Sequence, residues 1–430
     1  MLAVPVLVAG VLYFGRHWDK WEYRLMVAYC TWFLISRMLH DNIALTEDFM
    51  KTVDVFLLIP FFALGLCLKT EERRRFLDVF SAVIGVFYFL LGVLCIFSAL
   101  YRIEFINPIS QQYLCKMRTE TGFSRLIIMD INPDTTNCWF MNSFFLMVYQ
   151  FFACRKKWWR IPAVLCAAVD YVVLSICYVR SVMVAFSVGM GLLSALMILR
   201  HFKGKTGLRA FAGMSVVFLI TASVVFLGFG VVFRSYGHLS VELRYPNASQ
   251  EEKQEYYLRD FTNPKKITGN NLTEISTGRD WIYRSAFVTI RENPSILLTG
   301  TLTKDTTEIA TDYLREHGRY KPDRELDHFQ NFLLQVMVLT GLPGLLLVLA
   351  VCVLLVRSAL RLFFCEPERV PIFVQTLMLP VLGAMIYGMF EITYFTNADH
   401  CSLMFYLMGG MMTGWYYDIF PINDKGAVRA

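Results

Sequence analysis

Charged residues are scarce in this 430-residue chain: 18% are Asp, Glu, Lys or Arg, against 56% hydrophobic and 15% aromatic. At a mean hydropathy of +0.47 there is too little polar surface to wrap a soluble domain of this size. Metal-ligand spacing is also lacking, since none of the 11 cysteines falls in a C-x-x-C pair. Most of them, including Cys30, Cys67, Cys95, Cys166, Cys177 and Cys352, lie inside apolar runs and behave there as small hydrophobes. Only Cys115 and Cys138 share a polar segment in which they can pair. No internal repeat or low-complexity tract is visible, which argues against a transporter built from two related halves. The first apolar run, Leu2–Phe14, has no basic n-region and no small-residue cleavage site, so it does not read as a signal peptide. It is short for a span, and is either tilted in a locally thinned bilayer or preceded by a helix outside this chain.

Hydrocarbon-length runs are abundant. Beyond that first run they occur at Tyr23–His40, Val53–Leu68, Leu77–Leu100, Trp139–Ala153, Ile161–Tyr178, Val182–Leu199, Leu208–Phe233, Leu333–Val356, Val370–Phe395 and Cys401–Trp415. The expected fold is all-α, a polytopic membrane helix bundle of about eleven spans with one large, mostly helical external loop. The expected boundaries are 1–233 for an N-terminal bundle, 234–327 for the loop, 328–418 for the closing helices and 419–430 for a tail.

The formal charge of +6 is distributed in clusters: Arg16/Lys20/Arg24, Arg73-Arg74-Arg75, Arg155-Lys156-Lys157/Arg160, Arg200/Lys203/Lys205/Arg209 and Arg357/Arg361/Arg369. Each follows every second span, the pattern of cytoplasmic loops rather than of a nucleic-acid surface. The N-terminus is then outside and the C-terminus inside. Asp41–Lys51, Tyr101–Asn137, Val179–Ser181, Arg234–Asp327 and Thr396–His400 are external, which argues against ATP or nucleotide sugars as substrates.

Three helices are expected in the large loop: Glu251–Asp260, then Gly278–Glu292 with Thr277 as N-cap and Asn293-Pro294 as its stop, then Lys304–His317 ended by Gly318. Trp281, Ile282, Ala286, Phe287, Val288 and Ile290 suit the second to a membrane surface or a bundle. Asp327-x-x-Gln330 has the form of a capping box, so the next helix is expected to start at Asp327 with His328 in its first turn.

Several polar residues can carry chemistry. Arg279, in the first turn of its helix, suits a diphosphate clamp or an ion pair with Asp280 or a lipid phosphate. His328, at a helix start near arginines, suits a neutral proton acceptor or a hydrogen-bonded interfacial histidine. Arg180, in a very short turn between spans, faces a cavity or snorkels to headgroups. Arg37 and Glu391, near the external ends of their spans, line the same cavity or pair with each other. Asp170, near mid-span, is structural or proton-linked.

Taken in order, these pieces resemble the bacterial O-antigen ligase and polymerase superfamily. The resemblance rests on Ile131-Asn132-Pro133-Asp134-Thr135-Thr136-Asn137, Tyr178-Val179-Arg180-Ser181, Thr277-Gly278-Arg279, Glu292-Asn293-Pro294, and Asn331-Phe332-Leu333-Leu334-Gln335 leading to Gly341-x-x-Gly344. It implies a polyprenyl-diphosphate-glycan donor, with Arg180 and Arg279 binding the diphosphate and a histidine activating the acceptor. The family pattern is a histidine, then Asn, Ser or Gln, then nine residues and G-x-x-G. Here Gln330 stands eleven residues before Gly341, where that histidine belongs, followed by Asn331; His328 is two residues upstream. On a continuous helix the two point about 200° apart, and an amide cannot serve as a base. Gly300-Thr301-Leu302 does not reproduce a second glycine common after the Asn-Pro element.

The expected function is glycan transfer from an undecaprenyl-diphosphate carrier to an acceptor hydroxyl, by ligation or repeat-unit polymerisation. It is inverting and uses no metal or other cofactor. His328, Gln330 and Arg279 are the catalytic candidates, Arg180 and Arg279 the donor-diphosphate ligands, and Arg37, Glu391 and Asn331 the cavity lining. The partners are the carrier-linked donor, a glycan, lipid, cell-wall or protein acceptor, and membrane lipids, without nucleic acid. The location is the bacterial cytoplasmic membrane, with the active face outside. A carrier-lipid or polysaccharide transporter and a catalytically degenerate binding relative are the alternatives.

Overall fold

The computed structural model describes residues 20–39, 55–108, 111–120, 123–129, 133–202, 207–261, 279–301, 303–319, 326, 328–366, 368–391 and 400–421. The Leu2–Phe14 run, the Asp41–Lys51 segment, Thr277 and Asp327 lie outside them. In chain order come α1 (Trp21–Met38), α2 (Leu58–Cys67), α3 (Thr70–Tyr101), β1 (Phe105–Ile106), β2 (Tyr113–Glu120), β3 (Phe123–Ile128), α4 (Pro133–Ala153), α5 (Arg160–Cys177), α6 (Arg180–His201) and α7 (Leu208–Arg244). Then follow α8 (Gln250–Phe261), α9 (Arg279–Glu292), α10 (Ile296–Thr299), α11 (Thr303–Glu316), α12 (Phe332–Phe363), α13 (Ile372–Thr376), α14 (Met378–Gly388) and α15 (His400–Ile419).

Helices dominate for a physical reason: in hydrocarbon every backbone N–H and C=O must be satisfied within its own segment or by a close neighbour. Among the described residues five helices are long and apolar enough to cross a membrane: Thr70–Tyr101, Lys157–Cys177, Arg180–His201, Leu208–Arg244 and Phe332–Phe363. The all-α reading holds, and the chain is a membrane protein. Two expected spans are shorter. At ten residues α2 reaches only about 15 Å, and Val370–Phe395 is divided into α13 and α14, which stops at Gly388.

The chain forms two compact units. The first comprises Met1–Arg73, Asn271–Leu362 and Gly388–Ala430. In it α15 packs along α2, where Gly65 and Gly410 let the two backbones touch: a Cβ on Gly65 would lie 2.5 Å from Met411 N. Arg73, expected in a cytoplasmic basic cluster, is 1% exposed. It donates to the carbonyls of Gly65 and Leu66, which end α2, and to Asp418 at 2.7 Å. The amphipathic helices α9 and α11 share a core of Ile282, Ala286, Ile296, Ala310, Leu314, Leu326, Phe329 and Val338. Their apolar faces are thus covered by protein, while Phe287 stays exposed.

The second unit comprises Arg74–Asn270 and Phe363–Tyr387. It contains an antiparallel meander in the order β1-β2-β3, with Cys115 opposite Ile128 and Arg118 opposite Arg125, in a segment the sequence marked only as a loop. Tyr, Phe, Thr and Ile suit its residues to a pleated surface. Cys115 and Cys138 do not pair with each other: both are buried free thiols. Asp170 is fully buried on α5 and faces the Ser143 hydroxyl of α4. Asp260 draws in Arg102, Arg244 and Arg259, each within 3.2 Å.

Candidate functional site

In the first unit α9 opens directly on Arg279, and Asp280 follows in its first turn. The Arg279 guanidinium donates from Nε to Gln330 Oε1 at 3.1 Å and from Nη2 to Glu391 Oε1 at 2.9 Å. It also lies 5.8 Å from the centroid of the Phe390 ring, close enough for a cation–π contribution. Both charged side chains are largely buried, at 18% exposure for Arg279 and 7% for Glu391, so each depends on the other for stabilisation.

One turn along α9, the Tyr283 hydroxyl reaches the carbonyls of Gln330 at 3.3 Å and Met389 at 3.5 Å. Burial pushes its phenol above the ordinary tyrosine value, against the pull of nearby Arg279. Tyr283 was not among the residues singled out from the sequence, although its i+4 spacing from Arg279 puts both on one helix face.

The helix expected at Asp327 starts instead at Phe332. Its cap is Asn331, whose Oδ1 accepts from the N–H groups of Leu333 at 3.0 Å and Leu334 at 3.1 Å. The same amide donates from Nδ2 to the Met389 carbonyl at 2.8 Å. Gln330 precedes it at φ +48, and Gln335 reaches back to accept from Phe329 N at 3.1 Å. His328 therefore lies ahead of the helix, half-buried, and not in its first turn. The helix-dipole argument does not apply to it, nor does the 200° separation from Gln330. The second cap wins because Asn331 satisfies two helix N–H groups and a carbonyl of another segment at once.

Farther along α12 the helix breaks at Gly341, at φ +68 and ψ −173, with Pro343 just beyond. This backbone region is essentially glycine-only. The break frees the carbonyls that end the half-helix before it, and α1 supplies their donors. Trp32 Nε1 donates to Thr340 O at 2.7 Å, and Ser36 Oγ to Leu339 O at 3.1 Å. Arg37 Nη2 donates to Leu339 O and Nη1 to Thr301 O, both at 2.8 Å. Thr301 N donates to Val338 O at 3.0 Å, closing the contact from the other side. Gly300, at φ +73, meets the same turn: a Cβ there would overlap the Leu339 carbonyl, and one on Gly341 would lie 2.8 Å from Leu298 O. The turn at Gly300, a few residues after the Asn293-Pro294 element, and the break at Gly341 are thus two sides of one backbone contact.

Arg279, Gln330, Asn331 and Glu391 come together, while Arg37 holds the far end of the half-helix that Asn331 begins. Arg180 belongs to the second unit, where it is the exposed first residue of α6 after Tyr178 turns the chain at φ +52. The O-antigen ligase family model matches residues 161–349, a stretch that includes Arg180, Arg279, Gln330 and the Gly341 break.

Residues 161–349 belong to the O-antigen ligase family. No curated protein and no solved structure matches the chain. That family match supports a membrane glycosyltransferase-like role in O-antigen biosynthesis, with lipid-linked glycans and acceptors as partners in general terms. Arg37 and Glu391 fall outside the matched residues, yet each is hydrogen-bonded to a residue within them. Neither of these long-range contacts carries a signal in local sequence.

Proposed function

We propose that the protein transfers a glycan from an undecaprenyl-diphosphate carrier to an acceptor hydroxyl, with inversion at the anomeric carbon and without a metal. The observation that carries this reading is Arg279: a largely buried guanidinium at a helix start, already holding a carboxylate. A donor diphosphate is likewise an anion whose paired oxygens accept from a guanidinium, and it can take the place of that carboxylate. Charge that builds on the leaving diphosphate then meets a preorganised cation, where electrostatic catalysis is strongest. Arg180 is proposed as a second diphosphate ligand. By sequence position alone His328 would be the proton acceptor, since the Gln330 amide cannot take a proton; the side chains around Arg279 offer the Glu391 carboxylate as its competitor.

The positive-inside pattern supports about eleven spans in the bacterial cytoplasmic membrane, with the large polar loop and the site on the external face. The acceptor is a second carrier-linked repeat unit, or a lipid, cell-wall or protein hydroxyl; the chemistry at the anomeric carbon is the same. Proteoliposomes supplied with undecaprenyl-diphosphate-linked glycan and candidate acceptors test the proposal. Product should form with the wild-type protein and fall by at least about 100-fold in Arg279→Ala, the scale of losing one oxyanion-stabilising group. Carrier flipping without product would favour transport, and donor binding without product would favour a degenerate binding relative.

A further inference from the structure

Donor binding by Arg279 leaves one group of the site without a task. Glu391 holds the Arg279 guanidinium, which also lies against the Phe390 ring, and its side chain is 7% exposed. Among the described residues, Arg279 and Tyr283 of α9 and Gln330 ahead of α12 face it or its cation, with Asn331 beside Tyr283. Gln330 and Asn331 are amides, Arg279 is a cation, and Tyr283 keeps its proton. Among these side chains the Glu391 carboxylate is the one whose chemistry allows it to accept a proton.

We infer that Glu391 is a catalytic residue that accepts the proton of the attacking hydroxyl, and that donor binding is what makes it basic. The inference rests on the transfer reading above. In the resting site the carboxylate is stabilised by Arg279 and is a weak base, because an adjacent opposite charge favours the ionised form. A diphosphate that takes over the guanidinium reverses this. Glu391 loses its cation and faces a new anion in a mostly dry site, and both changes raise its affinity for a proton.

The step balances. The hydroxyl proton passes to a Glu391 oxygen as the acceptor oxygen bonds to the anomeric carbon. The bond from that carbon to the carrier diphosphate breaks, and its electron pair stays on the diphosphate oxygen beside Arg279. Glu391 then releases the proton to water. Coupling basicity to donor occupancy keeps the base silent in an empty site.

Glu391→Gln keeps an oxygen acceptor for Arg279 but cannot hold a proton, so it separates catalysis from positioning. The assay is initial transfer rate against pH in proteoliposomes, with undecaprenyl-diphosphate-linked glycan extracted from the host membrane, together with binding of that donor. Glu391→Gln should bind donor within about threefold of wild type, lose about 10²–10⁴-fold in kcat, and lose the acid limb of the pH–rate profile. Adding Gln330→His, which puts an imidazole next to the same guanidinium, should restore part of the rate with a limb near the histidine range. If Glu391→Gln does not assemble, Glu391→Asp should retain the acid limb at a reduced rate. Wild-type kcat in Glu391→Gln, or a loss confined to donor KM with the pH profile unchanged, would overturn the inference, as would abolition of the acid limb by His328→Ala alone. No transfer by the wild-type protein would overturn the transfer reading itself, and this inference with it.

Discussion

The contact between α1 and the broken helix makes a quantitative prediction. Arg37 is 3% exposed and gives two hydrogen bonds of 2.8 Å, to Thr301 O and Leu339 O. Arg37→Met keeps the apolar stem and removes the charge. A hydrogen bond involving a charged group contributes about 1.5–3 kcal/mol, and a buried carbonyl left unpaired costs about 1–3 kcal/mol. Removing the cation also removes its own desolvation cost, and Leu339 O still has Ser36. The net loss should be about 2–4 kcal/mol, a large share of a typical stability of 5–15 kcal/mol. Ser36→Ala alone should cost less, about 1 kcal/mol, because Arg37 still serves Leu339 O. The double variant strips that carbonyl of both donors and should exceed the sum of the singles by about 1–2 kcal/mol. Reversible unfolding in mixed micelles, followed by tryptophan fluorescence, measures all three. Stability of Arg37→Met within about 0.5 kcal/mol of wild type, or strict additivity of the pair, would refute the reasoning.

Other outcomes follow from the same coordinates. Gly341→Ala should lose about 1–3 kcal/mol from backbone strain, and more from the close approach of Leu298 O; the micelle unfolding midpoint checks it. Asn331→Ala removes a cap worth about 1 kcal/mol and the bond to Met389 O, and should show faster amide exchange at Leu333 and Leu334. Arg73→Met leaves the Asp418 carboxylate and the α2 carbonyls without this donor, and should lower the midpoint more than Arg75→Met does. Ser249 and Glu252 cap α8 reciprocally, and those bonds hold the exposed Glu252 carboxyl below its ordinary value of 4.5. A depressed carboxyl stabilises the helix above the unfolded value and loses that contribution as pH falls through the folded one. Amide exchange in 250–261 should therefore speed up below about pH 4.5 relative to that of α9, and Glu252→Gln should abolish the difference.

Helices were legible where hydrophobicity alone decided them. The Ile161–Tyr178 and Val182–Leu199 runs lie within a few residues of α5 and α6, and Gly278–Glu292 and Lys304–His317 within one residue of α9 and α11. Helix starts were harder to read. Asp327-x-x-Gln330 and Ser249-x-x-Glu252 have the same form; the second is a capping box in the structure, while the helix expected from the first starts at Phe332 with Asn331 as its cap. Asn331 displaces the first because it also bonds Met389, a partner that local sequence does not reveal. The meander at 105–128 carries no clear strand signal because the alternation of apolar and polar residues along its strands is irregular.

The sequence by itself determined the membrane class, the helical backbone, the arginine that opens α9 and the glycine at which α12 breaks. Each follows from local composition, from a helix terminus or from a backbone angle, all of which act within a few residues. Tertiary structure alone decided that Glu391 meets Arg279 across 112 positions and that Arg37 meets Leu339 across 302. Buried charges and orphaned carbonyls need partners wherever packing can bring them, and sequence distance places no limit on that search.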